Sequence, residues 1–246
     1  VGVSACGVVD EGSGAPAQHD RRIIGGQSYS GLPAVGALTY NGAHHCTGTL
    51  VGPRKVLTAA HCVVGRSASA MRYVIGTSIH SPQATLRVAS LHPHPGYSSS
   101  ALSNDIAHVT LQRDAPVAPM QVQTSAMSSA WAGASLLFVG YGVNNGYSGA
   151  GAGHKRAVWM SIASVASSTF TYSDSGRNTC GGDSGGPAFH VDSAGTYRVA
   201  GVTSYGDKYC VSYGVDTRVD RYVGWLGLTS APQNPPADPC QGETYK

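Results

Sequence analysis

Charge is scarce in this chain: only 12% of its 246 residues are Asp, Glu, Lys or Arg, and the formal net charge is +3. So thin and scattered a basic excess does not build the clustered basic face that nucleic-acid binding needs, so nucleic acid is not an expected partner. Acid is scarcer still in one long stretch. Residues 62–104 hold no Asp or Glu, so no loop there offers the charged oxygens that a calcium site requires. No run of about 18 apolar residues occurs, and nothing reads as a membrane-spanning helix. Internal repeats are missing too, as is helical periodicity sustained over several turns.

What the chain does have is 33 glycines, 13 prolines and many short apolar runs, such as residues 55–57, 136–139 and 198–203. Short strands joined by turns, in an all-β fold, account for that pattern. One short helix is expected around residues 220–228, where Tyr222, Trp225 and Leu226 fall at helical spacing. The six cysteines are an even number, which suggests disulfides while leaving their pairing open. Ten histidines, His92 and His94 among them, raise the question of zinc. No carboxylate or cysteine cluster stands at matching spacing, so neither a metal nor a cofactor is expected.

The most informative segment is Cys180-Gly181-Gly182-Asp183-Ser184-Gly185-Gly186-Pro187. A hydroxyl nucleophile sits there among residues without Cβ, whose backbone can aim several N–H groups at one point, as an oxyanion hole requires. Alone, a Gly-rich run is more often a turn. Two further segments supply the missing chemistry. Thr58-Ala59-Ala60-His61-Cys62 follows an apolar strand end, and Ser103-Asn104-Asp105-Ile106-Ala107 offers one of only two acids between Asp20 and Asp174, the other being Asp114. Serine is a poor nucleophile unless a base takes its proton, and that base needs an acceptor on its other ring nitrogen. Ser184, His61 and Asp105 meet the requirement in type.

With these segments and the further matches at residues 22–26, 44–50, 94–97, 140–142, 204–206 and 214–219, the chain resembles the chymotrypsin-like (trypsin-fold) serine proteases, in the family's order over residues 23–228. The resemblance implies two six-stranded antiparallel β-barrels, at about residues 27–118 and 130–219, with the active site in the cleft between them and a short C-terminal helix. Residues 1–22, ending in Arg21-Arg22 and without strand pattern, read as a propeptide. Residues 229–246 form a Pro-rich tail. Cleavage after Arg22 would free the amino group of Ile23 to pair with Asp183, and His44 would hold that aspartate beforehand. The family pairs Cys46 with Cys62 and Cys180 with Cys210, leaving Cys6 and Cys240 to tether the two ends. Gly182 and Ser184 would form the oxyanion hole, and Ser204, Tyr205 and Gly206 would pair with an extended substrate as an added strand. A monomer is expected, secreted or otherwise outside the cytoplasm, acting on polypeptides and meeting an activating protease and protein inhibitors.

The P1 pocket departs from the family. Trypsins carry Asp six residues before the nucleophile, where this chain has Asn178, followed by Thr179; Gly206 and Gly214 leave the walls open. Asp216 stands where the family usually has Tyr, and a carboxylate there would favour Arg or Lys at P1. The alternatives are a chymotrypsin-like preference for Phe, Tyr or Leu, or a catalytically silent binding protein built on the same fold.

Overall fold

The computed structural model describes residues 23–228. Its strands, in chain order, are β1 (Gln27–Ser28), β2 (Val35–Tyr40), β3 (Ala43–Gly52), β4 (Lys55–Thr58), β5 (Met71–Ile75), β6 (Ala84–Pro93), β7 (Ala107–Leu111), β8 (Gln121–Val122), β9 (Ser135–Gly140), β10 (Arg156–Val165), β11 (Thr169–Tyr172), β12 (Pro187–Val191), β13 (Tyr197–Gly206) and β14 (Gly214–Arg218). Residues 1–22, read from the sequence as a propeptide, the tail over 229–246 and the expected Cys6–Cys240 bridge lie outside the described residues.

Strands β2 to β7 close into an antiparallel barrel in the order β2-β3-β4-β7-β6-β5. Alternation drives this closure. In β7, Ala107, Val109 and Leu111 are buried while His108 and Thr110 are only partly so, the pattern of a strand with one face on a core. Leu38, Leu50, Leu57 and Tyr73 fill the interior, each aliphatic side chain contributing roughly 1.5–3 kcal/mol by leaving water.

The second sheet runs β1-β10-β11-β14-β13-β12-β9, and the additional β9–β10 pairing closes six of its strands into a second barrel. Phe138, Met160, Phe170 and Tyr172 pack its core together with Ile23. Two short strands join this barrel from outside: β8 pairs with β13, and β1 pairs with β10 through Gln27 and Ala157. Residue 27 therefore begins no part of the first barrel, contrary to the boundary read from the sequence. The first barrel starts at Val35.

The helix expected near the end is α1 (Val223–Leu226), preceded by a single 3-10 turn over Val219–Arg221. Gly227 ends it in the left-handed conformation, φ 65°, which glycine adopts without a Cβ penalty. Lys55 of β4 donates from Nζ to the Leu226 carbonyl at 2.5 Å, tying α1 to the first barrel. The disulfides join Cys46 to Cys62 and Cys180 to Cys210.

Candidate active site

His61 lies just past β4 in a 3-10 turn, Ala60–Cys62. The disulfide from Cys62 back to Cys46 in β3 and the burial of Ala59 and Ala60 hold that turn against the barrel. Asp105 enters from the segment before β7. Asn104 precedes it at φ 51°, a conformation asparagine tolerates. The Asn104 amide is held on both sides, donating from Nδ2 to the Gly96 carbonyl at 2.8 Å and accepting the Tyr222 hydroxyl at Oδ1 at 2.8 Å.

The Asp105 carboxylate is fully buried. Its Oδ1 accepts the His61 backbone N–H at 2.9 Å, and its Oδ2 faces His61 Nδ1 at 2.7 Å and accepts the Ser204 hydroxyl at 2.5 Å. Burial pushes this carboxyl up, but the hydrogen bonds and charge of His61 and the Ser204 hydroxyl outweigh it, so the pKa lies below its ordinary value. An Nδ1 that faces a carboxylate carries the proton, which leaves Nε2 as the ring's acceptor. The His61 side chain is 31% exposed, enough to meet a substrate.

Ser184 belongs to the loop before β12. Its carbonyl accepts the Thr47 N–H at 2.9 Å, and Gly185 N–H donates to Thr203 at 2.8 Å, so both barrels hold the loop. Gly182 and Gly185 have φ of 92° and 79°. A Cβ at Gly185 would stand 2.0 Å from Thr58 Oγ1, and one at Gly182 would stand 2.5 Å from His44 Cε1; only glycine fits. Thr47 is the junction that sequence reasoning missed. Its hydroxyl donates to the Gly182 carbonyl at 3.0 Å and accepts the Tyr141 N–H at 3.1 Å.

Asp183 is buried beside Ser184, its oxygens accepting N–H groups from Gly142 at 2.7 Å and Cys180 at 2.9 Å. Burial raises its pKa to about 6, against the pull of those bonds and of the Arg156 guanidinium. Arg156, also buried, donates to the Gly142 carbonyl at 3.0 Å. His44 packs on Gly182, and burial lowers its pKa to about 4. Among the described residues, the hydrogen bonds to the Asp183 carboxyl come from the two backbone groups and not from His44. Ile23 is fully buried, and the Ile24 carbonyl accepts the Asn178 N–H at 3.0 Å.

Asn178 and Thr179 are both buried, and Asn178 Oδ1 has no hydrogen-bond partner among the described residues. Across from them, Gly206 and Gly214 are paired between β13 and β14. Between these walls stands a residue that sequence reasoning passed over. The Tyr172 hydroxyl lies 2.6 Å from Thr179 Oγ1. Asp216 is 0% exposed. Burial holds its carboxyl well above the usual range, and the Tyr172 and Thr203 hydroxyls approach without completing a hydrogen bond of good geometry. Ser204 is buried at its bond to Asp105, while Tyr205 stands half-exposed at the rim. Among the described residues, the one group placed to share a metal is Cys46, His61 and Cys62, whose sulfurs are joined to each other.

Two antiparallel six-stranded barrels, with an Asp–His pair from one and a glycine-flanked serine loop from the other, define the chymotrypsin-like architecture of serine endopeptidases. Comparison with known proteins agrees: the trypsin family model matches residues 23–226. The chain is 32% identical over 207 residues to trypsin delta of Drosophila erecta, covering 77% of this chain and 80% of that protein. It is 31% identical over 233 residues to trypsin alpha of Drosophila melanogaster, covering 87% and 89%. Trypsin CFT-1 of Choristoneura fumiferana is 28% identical over 241 residues, covering 85% and 91%. The chain belongs to the trypsin family and is a serine endopeptidase acting on polypeptides.

Proposed function

We propose that this endopeptidase is made as a zymogen, activated by cleavage after Arg22, and selects an uncharged P1 side chain such as Phe, Tyr or Leu. In this reading Ser184 Oγ attacks the scissile carbonyl while His61 Nε2 takes its proton. The amine leaves with that proton, and water then repeats the cycle to release the acyl group from Ser184. Asp105 fixes the imidazole tautomer and stabilises the imidazolium. The N–H groups of Gly182 and Ser184 stabilise the oxyanion, and Ser204, Tyr205 and Gly206 pair with the substrate backbone.

Activation has its support in the fully buried Asp183, whose carboxyl takes two backbone N–H groups. A buried carboxylate gains strongly from an ammonium brought alongside it, and Ile23 already lies in the second barrel's core. His44, held neutral by burial, fits poorly as a charged keeper of Asp183. The two disulfides among the described residues suit an oxidising, extracytoplasmic setting.

One observation carries the P1 reading against the sequence expectation of Arg or Lys. The Asp216 carboxyl is directed towards Gly201, where a Cβ would stand 2.6 Å from its Oδ2, and Gly201 lies five positions along β13 from the Gly206 end of the pocket. A P1 side chain then meets Asn178, Thr179 and Tyr172, none of them charged. It follows that the enzyme does not cut its own Arg22–Ile23 bond and depends on another protease.

A mixed peptide library, offered to the chain cleaved after Arg22 with Ser184→Ala and the uncleaved chain alongside, tests this. Cleavage after Phe, Tyr or Leu is expected, absent from both controls. Cleavage after Arg or Lys would restore Asp216 as the specificity carboxylate.

A further inference from the structure

The uncharged-pocket reading, on which this inference rests, leaves a buried acid without an obvious use. The register of β11 against β14 supplies one. Phe170 lies opposite Asp216 and Tyr172 opposite Gly214, so all four residues share the inward face. The hydroxyl end of the Tyr172 ring abuts Gly214: a Cβ there would stand 2.3 Å from its Cε2 and Cζ and 2.4 Å from its hydroxyl. The same hydroxyl lies 2.6 Å from Thr179 Oγ1. The hydroxyl end of the ring thus stands between Gly214 and Thr179. The Asp216 carboxyl sits beyond that hydroxyl, against Phe170 and Gly201, approached by the Tyr172 and Thr203 hydroxyls without a completed hydrogen bond.

Position 216 is where the family usually carries Tyr. A second large ring would start two residues from Gly214 on the same face, in the space that Tyr172 already fills. We propose that the phenol of Tyr172 is the specificity-determining floor of the P1 pocket, and that Asp216 is short because it packs behind that ring, shut off from the substrate. The bulk has moved from β14 to β11 while the floor stays closed. Tyr172 rejects long cationic P1 side chains by stopping them short of the Asp216 carboxyl, and it offers an aromatic face and a hydroxyl to Phe, Tyr or Leu.

The test is a double-mutant cycle on the enzyme cleaved after Arg22, with Tyr172→Ala, Asp216→Tyr and the pair, reading kcat/KM on P1-Phe and P1-Arg peptides and the thermal midpoint of each protein. Tyr172→Ala should lower P1-Phe turnover by at least about ten-fold and raise P1-Arg relative to it, because the space in front of Asp216 opens. Asp216→Tyr should lower the thermal midpoint by crowding Tyr172. The pair should recover both the midpoint and most of the P1-Phe activity. Additive effects of the two changes would overturn the proposal, because they mean that the side chains share no space. A wild-type preference for Arg that Asp216→Asn abolishes would overturn it through the pocket reading. Loss of turnover in the wild type as well would strike that reading alone, because the midpoint cycle still decides whether the two side chains compete.

Discussion

Thr47 shows how one hydroxyl ties a catalytic loop to its scaffold. It sits in β3 of the first barrel, yet its Oγ1 accepts from Tyr141 and donates to the carbonyl of Gly182 in the second. The Gly182 carbonyl belongs to the peptide next to the proposed oxyanion donors, so its direction sets theirs. Replacing Thr47 by Val keeps the shape and deletes both bonds, leaving a buried N–H and a carbonyl unsatisfied at roughly 1–3 kcal/mol. Unfolding curves should show that loss, and steady-state kinetics should show kcat lower by about ten-fold with little change in KM, the signature of an interaction used in the transition state. Thr47→Ser, which keeps the hydroxyl, should recover most of kcat. If Thr47→Val lost stability but kept kcat, Thr47 would be a structural residue only.

Among the elements, those written in local pattern were legible from sequence, and those written in register were not. Strands such as β4, β9 and β13 follow from apolar runs between glycines, and the segments around His61, Asp105 and Ser184 declare their chemistry within a few residues. The pairing of β1 with β10 rests on contacts across about 130 positions, and no short-range signal marks it. Tyr172 is the same case. Its aromatic alternation with Phe170 is visible, but that its hydroxyl end stands between Gly214 and Thr179 follows only from the pairing of Tyr172 with Gly214. The short helix α1 also depends on a distant partner. With a single turn of hydrogen bonds, it is too short to persist alone, and the Lys55 ammonium from β4 covers its C-terminal carbonyl, where positive charge is favoured. Lys55→Met should therefore lower stability by about 1 kcal/mol, measured by chemical denaturation, with kcat/KM on peptide substrates unaltered. An unchanged midpoint would mean that the helix is held by Leu226 and its apolar neighbours alone.

At the scale of the whole molecule, the first barrel's core continues into β9, β12 and β13 of the second through Val139, Phe189 and Val202, and the two barrels also meet at residues that each would find costly to bury alone. Asp105 is charged because His61 from the first barrel and Ser204 from the second both satisfy it. Asp183 is the counterexample, because burial lifts its pKa from 3.8 to about 6 even with Arg156 nearby and two backbone donors. An acid whose pKa is raised by folding binds its proton more tightly in the folded chain. Stability is then highest below the unfolded value and falls as pH rises from about 4 to about 6, by a total of about 3 kcal/mol. An Ile23 ammonium formed by cleavage after Arg22 and paired with Asp183 would lower that pKa and remove the penalty. His44, neutral above a pKa of about 4, supplies no competing positive charge over most of this window. Thermal unfolding of Ser184→Ala protein, uncleaved and cleaved after Arg22, should give midpoints that lie close together at pH 4 and separate by pH 7, with the cleaved form higher. Parallel curves across that window would mean that cleavage brings no new charge to Asp183, and the proposed activation would need a different trigger.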